Sequence, residues 1–342
     1  MSSTVEQIKS RLSVVEVVGS YLKLEKAGTN YRARCPFHQE KTPSFFVSPG
    51  RGSYHCFGCN RGGDLISFVQ EIENLDFLGA LKLLAERAGV EVQVLDKRLA
   101  SVKERLYELM ESATRYYVEQ LSSNTAAQNY LKERGLTDET IKSFRLGFAP
   151  VGWRTIGPLL TKQGFTVAEI IQAGLLISVT GKDPYDRFRS RLMFPLMDNT
   201  GRAIGFSARI FGSEDSAPVA KYINSPETPL YNKSRTLYLY HRARLPFRTV
   251  DRCILVEGQV DALLSQQSGF LETVAVSGTA LTKDHLEMIK RLTGNLIMAF
   301  DADLAGIRAG RRAIELALDQ GLEVKIALLP TNRDPADLIR EN

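Results

Sequence analysis

The chain has 342 residues, 44% of them apolar, with 44 Lys and Arg against 39 Asp and Glu for a formal net charge of +5. That length and apolar content suit two or three domains with real cores. No run of about eighteen apolar residues occurs, and the N-terminus Met1–Glu6 has neither the basic start nor the apolar centre of a signal peptide, which argues against a membrane span or a secreted chain.

The chain opens with a short helix (Val5 to Ser10) and a second amphipathic piece (Val14 to Tyr21). Cys35-Pro36-Phe37-His38 follows and, seventeen residues later, Cys56-Phe57-Gly58-Cys59. Each pair lets two side chains converge on one ion from a tight turn. Three thiolates and an imidazole make the closed tetrahedral shell that Zn²⁺ prefers, so Cys35, His38, Cys56 and Cys59 are read as ligands of one structural zinc. A redox pair at Cys56 and Cys59 is the weaker alternative, because the intervening residues read as a hairpin that brings the pairs together: Ser44 to Ser48, a turn at Pro49-Gly50-Arg51-Gly52, and a return through Ser53 to Phe57. Only Cys253 is then left over, so there is no disulfide framework, as in a reducing compartment. Asp64 is placed as N-cap of a helix starting near Leu65, with Leu65, Phe68, Val69 and Ile72 on one face.

The wording between the ligands is also distinctive: Cys-Pro-Phe-His-Gln-Glu-Lys-Thr-Pro-Ser-Phe from Cys35 to Phe45, Tyr54-His55-Cys56-Phe57-Gly58-Cys59, then Gly62-Gly63-Asp64. This stretch resembles the zinc-binding domain of bacterial replicative DNA primases. His55 is read as a strand residue and not as a ligand.

A charged stretch from Asp96 to Arg105 reads as a linker into a helix (Leu106 to Leu121). Beyond it, Leu131 to Thr137 and Leu160 to Thr166 each read as helix, glycine stop, then Thr N-cap, with Thr166 and Glu169 as a capping box. Compact helix pairs of this kind are read as packing and not as a DNA-reading motif. Strands follow at Leu192 to Leu196 and Ala203 to Ile210 around a turn at Asp198 to Gly201.

Between Lys182 and Arg248 there are twelve Lys or Arg and six Asp or Glu, so the basic surplus belongs to this region and the rest is close to neutral. Tyr185, Phe188, Tyr222 and Tyr231 are interleaved with the cations. Such a mixture suits a single-stranded nucleic-acid groove, although composition alone favours a solvated charged face. The wording of Asp186–Pro195, Gly201–Phe206 and Lys221–Thr228 resembles the N-terminal half of the primase polymerase domain. In that family such cations line a ridge that grips template and incoming nucleotides, and the resemblance carries this role to Arg189, Arg191, Arg209, Lys221 and Lys233.

In the last third, apolar runs at Arg252 to Val256, Thr273 to Val276, Leu296 to Phe300 and Val324 to Leu329 alternate with helical stretches, which implies a doubly wound parallel sheet. Glu257, Asp301 and Asp303 fall beyond the carboxyl ends of two of these strands, where such sheets place functional groups. One acidic residue there is usually a helix cap, but three from one sheet are not explained that way. Clustered carboxylates repel unless a cation intervenes, and oxygen ligands select Mg²⁺ or Mn²⁺. The E-G…D-x-D order resembles the Toprim fold of primases, topoisomerases, some nucleases and a recombination protein. The resemblance adds Asp261 and Asp334 to the metal-binding and catalytic set. Two departures stand out: Gln259-Val260 where primases commonly carry a Tyr-Met-like pair, and Ala336 at the second Asp of the last motif, with Asp337 one residue later.

The reading is therefore a multi-domain α+β and α/β chain: a zinc-binding domain over 1–95, a linker over 96–105, a basic mixed α/β subdomain over 106–250, and a Toprim domain over 251–342. The expected function is that of a cytoplasmic, replisome-associated primase making short RNA on single-stranded DNA from NTPs. A Toprim nuclease or a non-catalytic zinc-and-Toprim DNA-binding protein is the alternative. The resemblance also implies a replicative helicase as partner, and the chain is expected to be a truncated form lacking the helical and helicase-binding regions, with weakened or lost activity.

Overall fold

The computed structural model describes residues 4–38, 40–73, 75, 77–90, 97–212, 220–276, 278, 280–300, 304–330 and 333–341. It divides into two compact units, Met1–Lys97 with Glu287–Gly294, and Arg98–Leu286 with Asn295–Asn342. No helix among the described residues is long and apolar enough to cross a membrane.

The first unit begins with α1 (Thr4–Arg11) and α2 (Val14–Gly19), the latter opened by a Ser13–Glu16 capping box. An antiparallel sheet in sequential order follows, built from β1 (Glu25–Ala27), β2 (Asn30–Ala33), β3 (Phe45–Ser48), β4 (Ser53–Cys56) and β5 (Gly62–Asp64). The hairpin expected around Pro49 is its β3–β4 centre, with Phe45 paired to Cys56 and Val47 to Tyr54. Helices α3 (Leu65–Glu73) and α4 (Phe77–Ala88) close the unit. Asp64 does cap α3, its Oδ1 accepting the amides of Ile66 at 3.0 Å and Ser67 at 2.9 Å. The core is largely aromatic: Phe37, Phe45, Tyr54 and Phe68 are mutually in contact, with Phe45 and Tyr54 stacked at 5.1 Å.

The stretch read as a linker is helical from its second residue. A single helix, α5, runs Lys97–Ser122, because Lys, Arg, Ala and Glu are strong helix formers whatever their charge. Its Leu106, Leu109, Met110, Ala113 and Tyr117 are buried along one face. Then come α6 (Thr125–Glu133), α7 (Asp138–Ser143), β6 (Gly147–Ala149), α8 (Ile156–Lys162), α9 (Val167–Gln172), and the hairpin β7 (Leu176–Val179) and β8 (Lys182–Asp186). The Thr166–Glu169 capping box is present. Long strands β9 (Arg191–Met197) and β10 (Ala203–Ile210) pair with each other, flanked by β6 and by β11 (Tyr222–Asn224). This sheet is covered on both faces. Leu192, Phe194 and Leu196 pack into one core, while Met193, Phe206 and Ala208 pack into another.

After a 3₁₀ turn (Lys233–Arg235) and α10 (Tyr240–Val250), the chain alternates strictly: β12 (Cys253–Val256), α11 (Gln259–Gln267), β13 (Thr273–Ala275), α12 (Lys283–Lys290), β14 (Asn295–Ala299), α13 (Leu304–Asp319), β15 (Glu323–Ile326) and α14 (Pro335–Glu341). All four strands are parallel, in the order β13-β12-β14-β15. The chain first steps from β12 to β13 and then returns past β12 to β14, so the order reverses between β12 and β14. Crevices for ligands open at that reversal, beyond the carboxyl ends of the strands.

His285 is fully buried, with Nε2 3.1 Å from the Lys233 carbonyl. Burial pushes its pKa down to about 4, and burial does the same to His241. Each binds its proton more weakly folded than unfolded, so stability is full above about pH 6.5 and falls as pH drops toward 4, by about 3 kcal/mol per group. His285→Gln is expected to flatten the slope of unfolding free energy against pH in that window, measured by urea titration. An unchanged slope would contradict this.

Candidate metal centre and acidic cleft

The four ligands expected for zinc come together in the first unit, where Cys35, His38, Cys56 and Cys59 offer donor atoms all within 4.8 Å of one another. Cys35 Sγ and Cys59 Sγ are 3.8 Å apart, and Cys56 Sγ is 3.7 Å from His38 Nδ1. Zinc–sulfur bonds of about 2.3 Å at tetrahedral angles require sulfurs about 3.8 Å apart, the spacing of Cys35 and Cys59, so the residues present fit the ion with small adjustments of the remaining donors. Gly58 belongs to that fit, since a Cβ there would lie 2.5 Å from the His38 ring. Burial pushes the Cys35 thiol up, so an arriving cation must displace its proton.

Glu40 braces the site and was not anticipated. One oxygen accepts the amides of Cys35 at 2.7 Å and Ser44 at 2.9 Å; the other accepts the Ser44 hydroxyl and lies 3.3 Å from His38 Nε2. With Nδ1 turned to the sulfurs and Nε2 to a carboxylate, the imidazole has the partner that metal-bound histidines usually have. Burial raises the Glu40 pKa, but the bonds from Ser44 and Cys35 outweigh it and hold the group below the usual range.

In the second unit two of the expected acidic residues, Glu257 and Asp334, lie next to elements of the parallel-sheet domain. Glu257 directly follows β12 and is half-buried. Val256 at the end of β12 is paired with Ala299 at the end of β14, so the residues after both strands emerge at the same sheet edge. Asp301 and Asp303 lie outside the described residues. Asp334 precedes α14 and accepts the Asp337 amide at 2.7 Å. Asp261 is buried, and each of its oxygens takes a backbone amide, Gly258 at 3.2 Å and Ala336 at 3.3 Å. It therefore ties the Glu257-Gly258 turn to the Asp334-Pro335-Ala336 segment. A Cβ at position 258 would meet its carboxylate at 2.6 Å, which accounts for the glycine. Ala336, at the position where the resemblance leads one to look for an Asp, is buried.

Two further contacts bind this cleft to the basic region. Buried Gln259 donates from Nε2 to Ser207 Oγ of β10 at 2.6 Å, and Thr282 Oγ1 donates to the Ser234 carbonyl at 2.7 Å. Gln259 had registered in the sequence only as a departure from the usual pair.

The five cations expected on a ridge are placed unequally. Arg209, paired with Leu192 and Tyr222, lies on the sheet face that carries Ser207, and its guanidinium sits 4.8 Å over the Tyr130 ring. Lys221 is exposed and Lys233 half-buried, the Lys233 amide donating to Glu227 Oε1 at 2.8 Å. Arg189 lies over Trp153 and Tyr185. Arg191 departs from the expectation. It is 4% exposed, lies on the opposite sheet face from Arg209, and donates to the carbonyls of Ala208, Ala220 and Lys221. The reason is period-two alternation in a sheet covered on both sides. Arg191→Met is expected to cost about 3 kcal/mol of stability, from three carbonyls left without their donor, and to leave nucleic-acid affinity nearly unchanged per folded molecule. Of the four rings interleaved in sequence, Phe188 (1% exposed) and Tyr231 (3%) belong to the core and are not free to stack.

Against known families, residues 1–100 match the CHC2 zinc finger, 116–244 the N-terminal domain of the DNA primase catalytic core, and 254–339 a Toprim-like domain. The Aquifex aeolicus primase structure, containing zinc-binding and RNA polymerase domains, superposes with a TM-score of 0.66 at 35% identity, covering 100% of this chain and 83% of that one. The chain belongs to the DNA primase family. A DNA primase of Pseudomonas aeruginosa is 41% identical over 99% of the chain and 52% of its own length, so this primase-family chain spans about half of that curated relative. A primase catalytic domain solved bound to single-stranded DNA is 37% identical with a TM-score of 0.62, covering 71% of this chain and 76% of that one.

Proposed function

We propose that the chain is a DNA-templated RNA polymerase of the primase type, joining NTPs into short RNA on single-stranded DNA in the cytoplasm. The single observation that carries this is the topology of the parallel sheet. It sets Glu257, and the strand end leading to Asp301 and Asp303, side by side at the point of reversal, with Asp334 tied to the same turn through Asp261. Carboxylates contributed from these strand ends would suit a hard divalent cation, Mg²⁺ or Mn²⁺. Bound there, the cation would neutralise the triphosphate and ease ionisation of the attacking hydroxyl.

The chain's own residues do the rest. Glu257, Asp301, Asp303 and Asp334 would supply the oxygen ligands, while Asp261 joins the Glu257-Gly258 turn to the Asp334-Pro335-Ala336 segment and Gln259 ties α11 to the basic strand β10. Arg209, Lys221 and Lys233 neutralise template and triphosphate phosphates. In the reaction a nucleotide 3′-hydroxyl attacks the α-phosphorus of the next NTP. A new P–O bond forms, the bond to the β,γ-pyrophosphate breaks, and the hydroxyl proton passes to solvent. The zinc held by Cys35, His38, Cys56 and Cys59 performs no step and holds the first unit folded. The three domains proposed are those read from the sequence, without a separate linker because α5 spans 96–105 from its second residue, and the family matches at 1–100, 116–244 and 254–339 support them.

Incubation with oligo(dT), labelled ATP and Mg²⁺, without primer, tests the reaction class. The expected product is short oligo(A) with release of pyrophosphate. Nicked DNA with no RNA would place the chain with the Toprim nucleases instead. Arg209→Met is expected to weaken binding of single-stranded DNA and to lower the slope of log affinity against log salt by about 1, read by fluorescence anisotropy.

A further inference from the structure

Trp153 stands in the loop before α8 and is 61% exposed. Its indole is not a stray apolar side chain. The Arg189 guanidinium lies 4.1 Å from its ring centroid and 5.2 Å from that of Tyr185, and the two rings meet edge-on at 5.3 Å. Trp153 and Tyr185, with Arg154, Val179, Lys182 and Asp183, line an open concavity of about 820 Å³.

The backbone beneath the cluster is fixed. Asp186 is fully buried, and its carboxylate accepts the amides of Thr155, Ile156 and Gly157 and the Thr155 hydroxyl at 2.6–3.3 Å. Its own amide donates to the Trp153 carbonyl at 2.8 Å, and Arg189 donates to the Asp186 carbonyl. A large aromatic face is therefore held toward solvent by a rigid mount, with cations at its rim. The acidic residue in the lining, Asp183, is in an exposed ion pair with Arg154 at 3.1 Å, an arrangement weak enough for a phosphate to replace.

We propose that Trp153, Tyr185 and Arg189 form a stacking platform for an unpaired base of single-stranded DNA, with Arg154 and Lys182 taking the adjoining phosphates. An exposed ring with cations around it is the chemistry of sequence-tolerant single-strand binding. The choice of DNA rests on the proposed function: RNA made on a template is paired as it forms, which leaves the template as the strand with unpaired bases.

Trp153 is the only tryptophan in the chain, so its emission reports on this site alone. Titrating the whole chain with oligo(dT) is expected to quench that emission with the same midpoint as the anisotropy of a labelled oligo(dT). Tyr185→Ala and the Arg154→Ala/Lys182→Ala pair are each expected to weaken binding roughly 5- to 100-fold, with circular dichroism unchanged. DNA binding by anisotropy with unaltered tryptophan emission, or with both variants binding like the parent, would overturn the platform and leave the polymerase reading standing. Absence of DNA binding by either signal would overturn both. Quenching by oligo(U) at lower concentration than by oligo(dT) would overturn the assignment to DNA.

Discussion

Glu257→Gln is expected to lower nucleotide transfer on the order of 10³-fold, equivalent to about 4 kcal/mol of lost transition-state stabilisation, with folding and DNA binding retained. The side chain follows β12 at the edge where the sheet order reverses, and the ends of β12 and β14 are in register. The change removes one negative charge from the cation's shell while keeping shape, so affinity for the metal and charge balance at the departing pyrophosphate both suffer. Fold is insulated from it, because the braces of this turn run through Asp261 and Gln259. Labelled-nucleotide incorporation beside a thermal melt checks both halves. Parent-level incorporation would remove Glu257 from the reacting set. Asp261→Ala should look different, with lost transfer accompanied by a lower melting temperature, since two backbone amides lose their acceptor.

Removing the zinc is expected to unfold the first unit and leave the second folded. Structural zinc contributes about 10–16 kcal/mol of apparent binding free energy in small modules, more than a core of this size supplies by itself. The ligands come from the β2–β3 connection and from the end of β4, with Cys35 following β2 and Cys56 closing β4, so losing the ion frees both segments. Cys59→Ser, or a strong chelator, should lead limited proteolysis to a resistant fragment beginning near residue 97. An identical digestion pattern with and without chelator would show that the ion does not hold this unit. Glu40→Gln should fold with zinc present but bind it 10- to 100-fold more weakly, because the imidazole loses the partner that orients it. Competition with a chromophoric chelator measures that directly.

What was legible in the sequence divides along physical lines. The metal ligands and the acidic residues after strands could be read because their chemistry depends on residue type and spacing, and the parallel sheet because its strands are short apolar runs set between helices. β1, β2 and β5 were missed. They have three or four residues, and Glu25-Lys26-Ala27 and Gly62-Gly63-Asp64 carry no strand pattern of their own. They are strands because β3 and β4 give them an edge to pair with. The fate of Arg191 was likewise hidden. Six successive buried residues from Arg191 to Leu196 show no alternation when both faces are covered, and only the pairing register reveals which face each side chain takes. The first turns of α5 were lost by reading a charged stretch as a linker. Trp153, Tyr185 and Arg189 are thirty-odd residues apart at the extremes, and the turn that joins them depends on one buried carboxylate, Asp186.

The central claim is that the carboxylates at the sheet's point of reversal carry RNA synthesis. Incorporation of labelled ATP on oligo(dT) by the parent and by Asp301→Ala/Asp303→Ala, at matched zinc content and matched DNA affinity, tests it most directly. The prediction is template-dependent oligo(A) from the parent and none from the variant. Equal synthesis by the two proteins would contradict it.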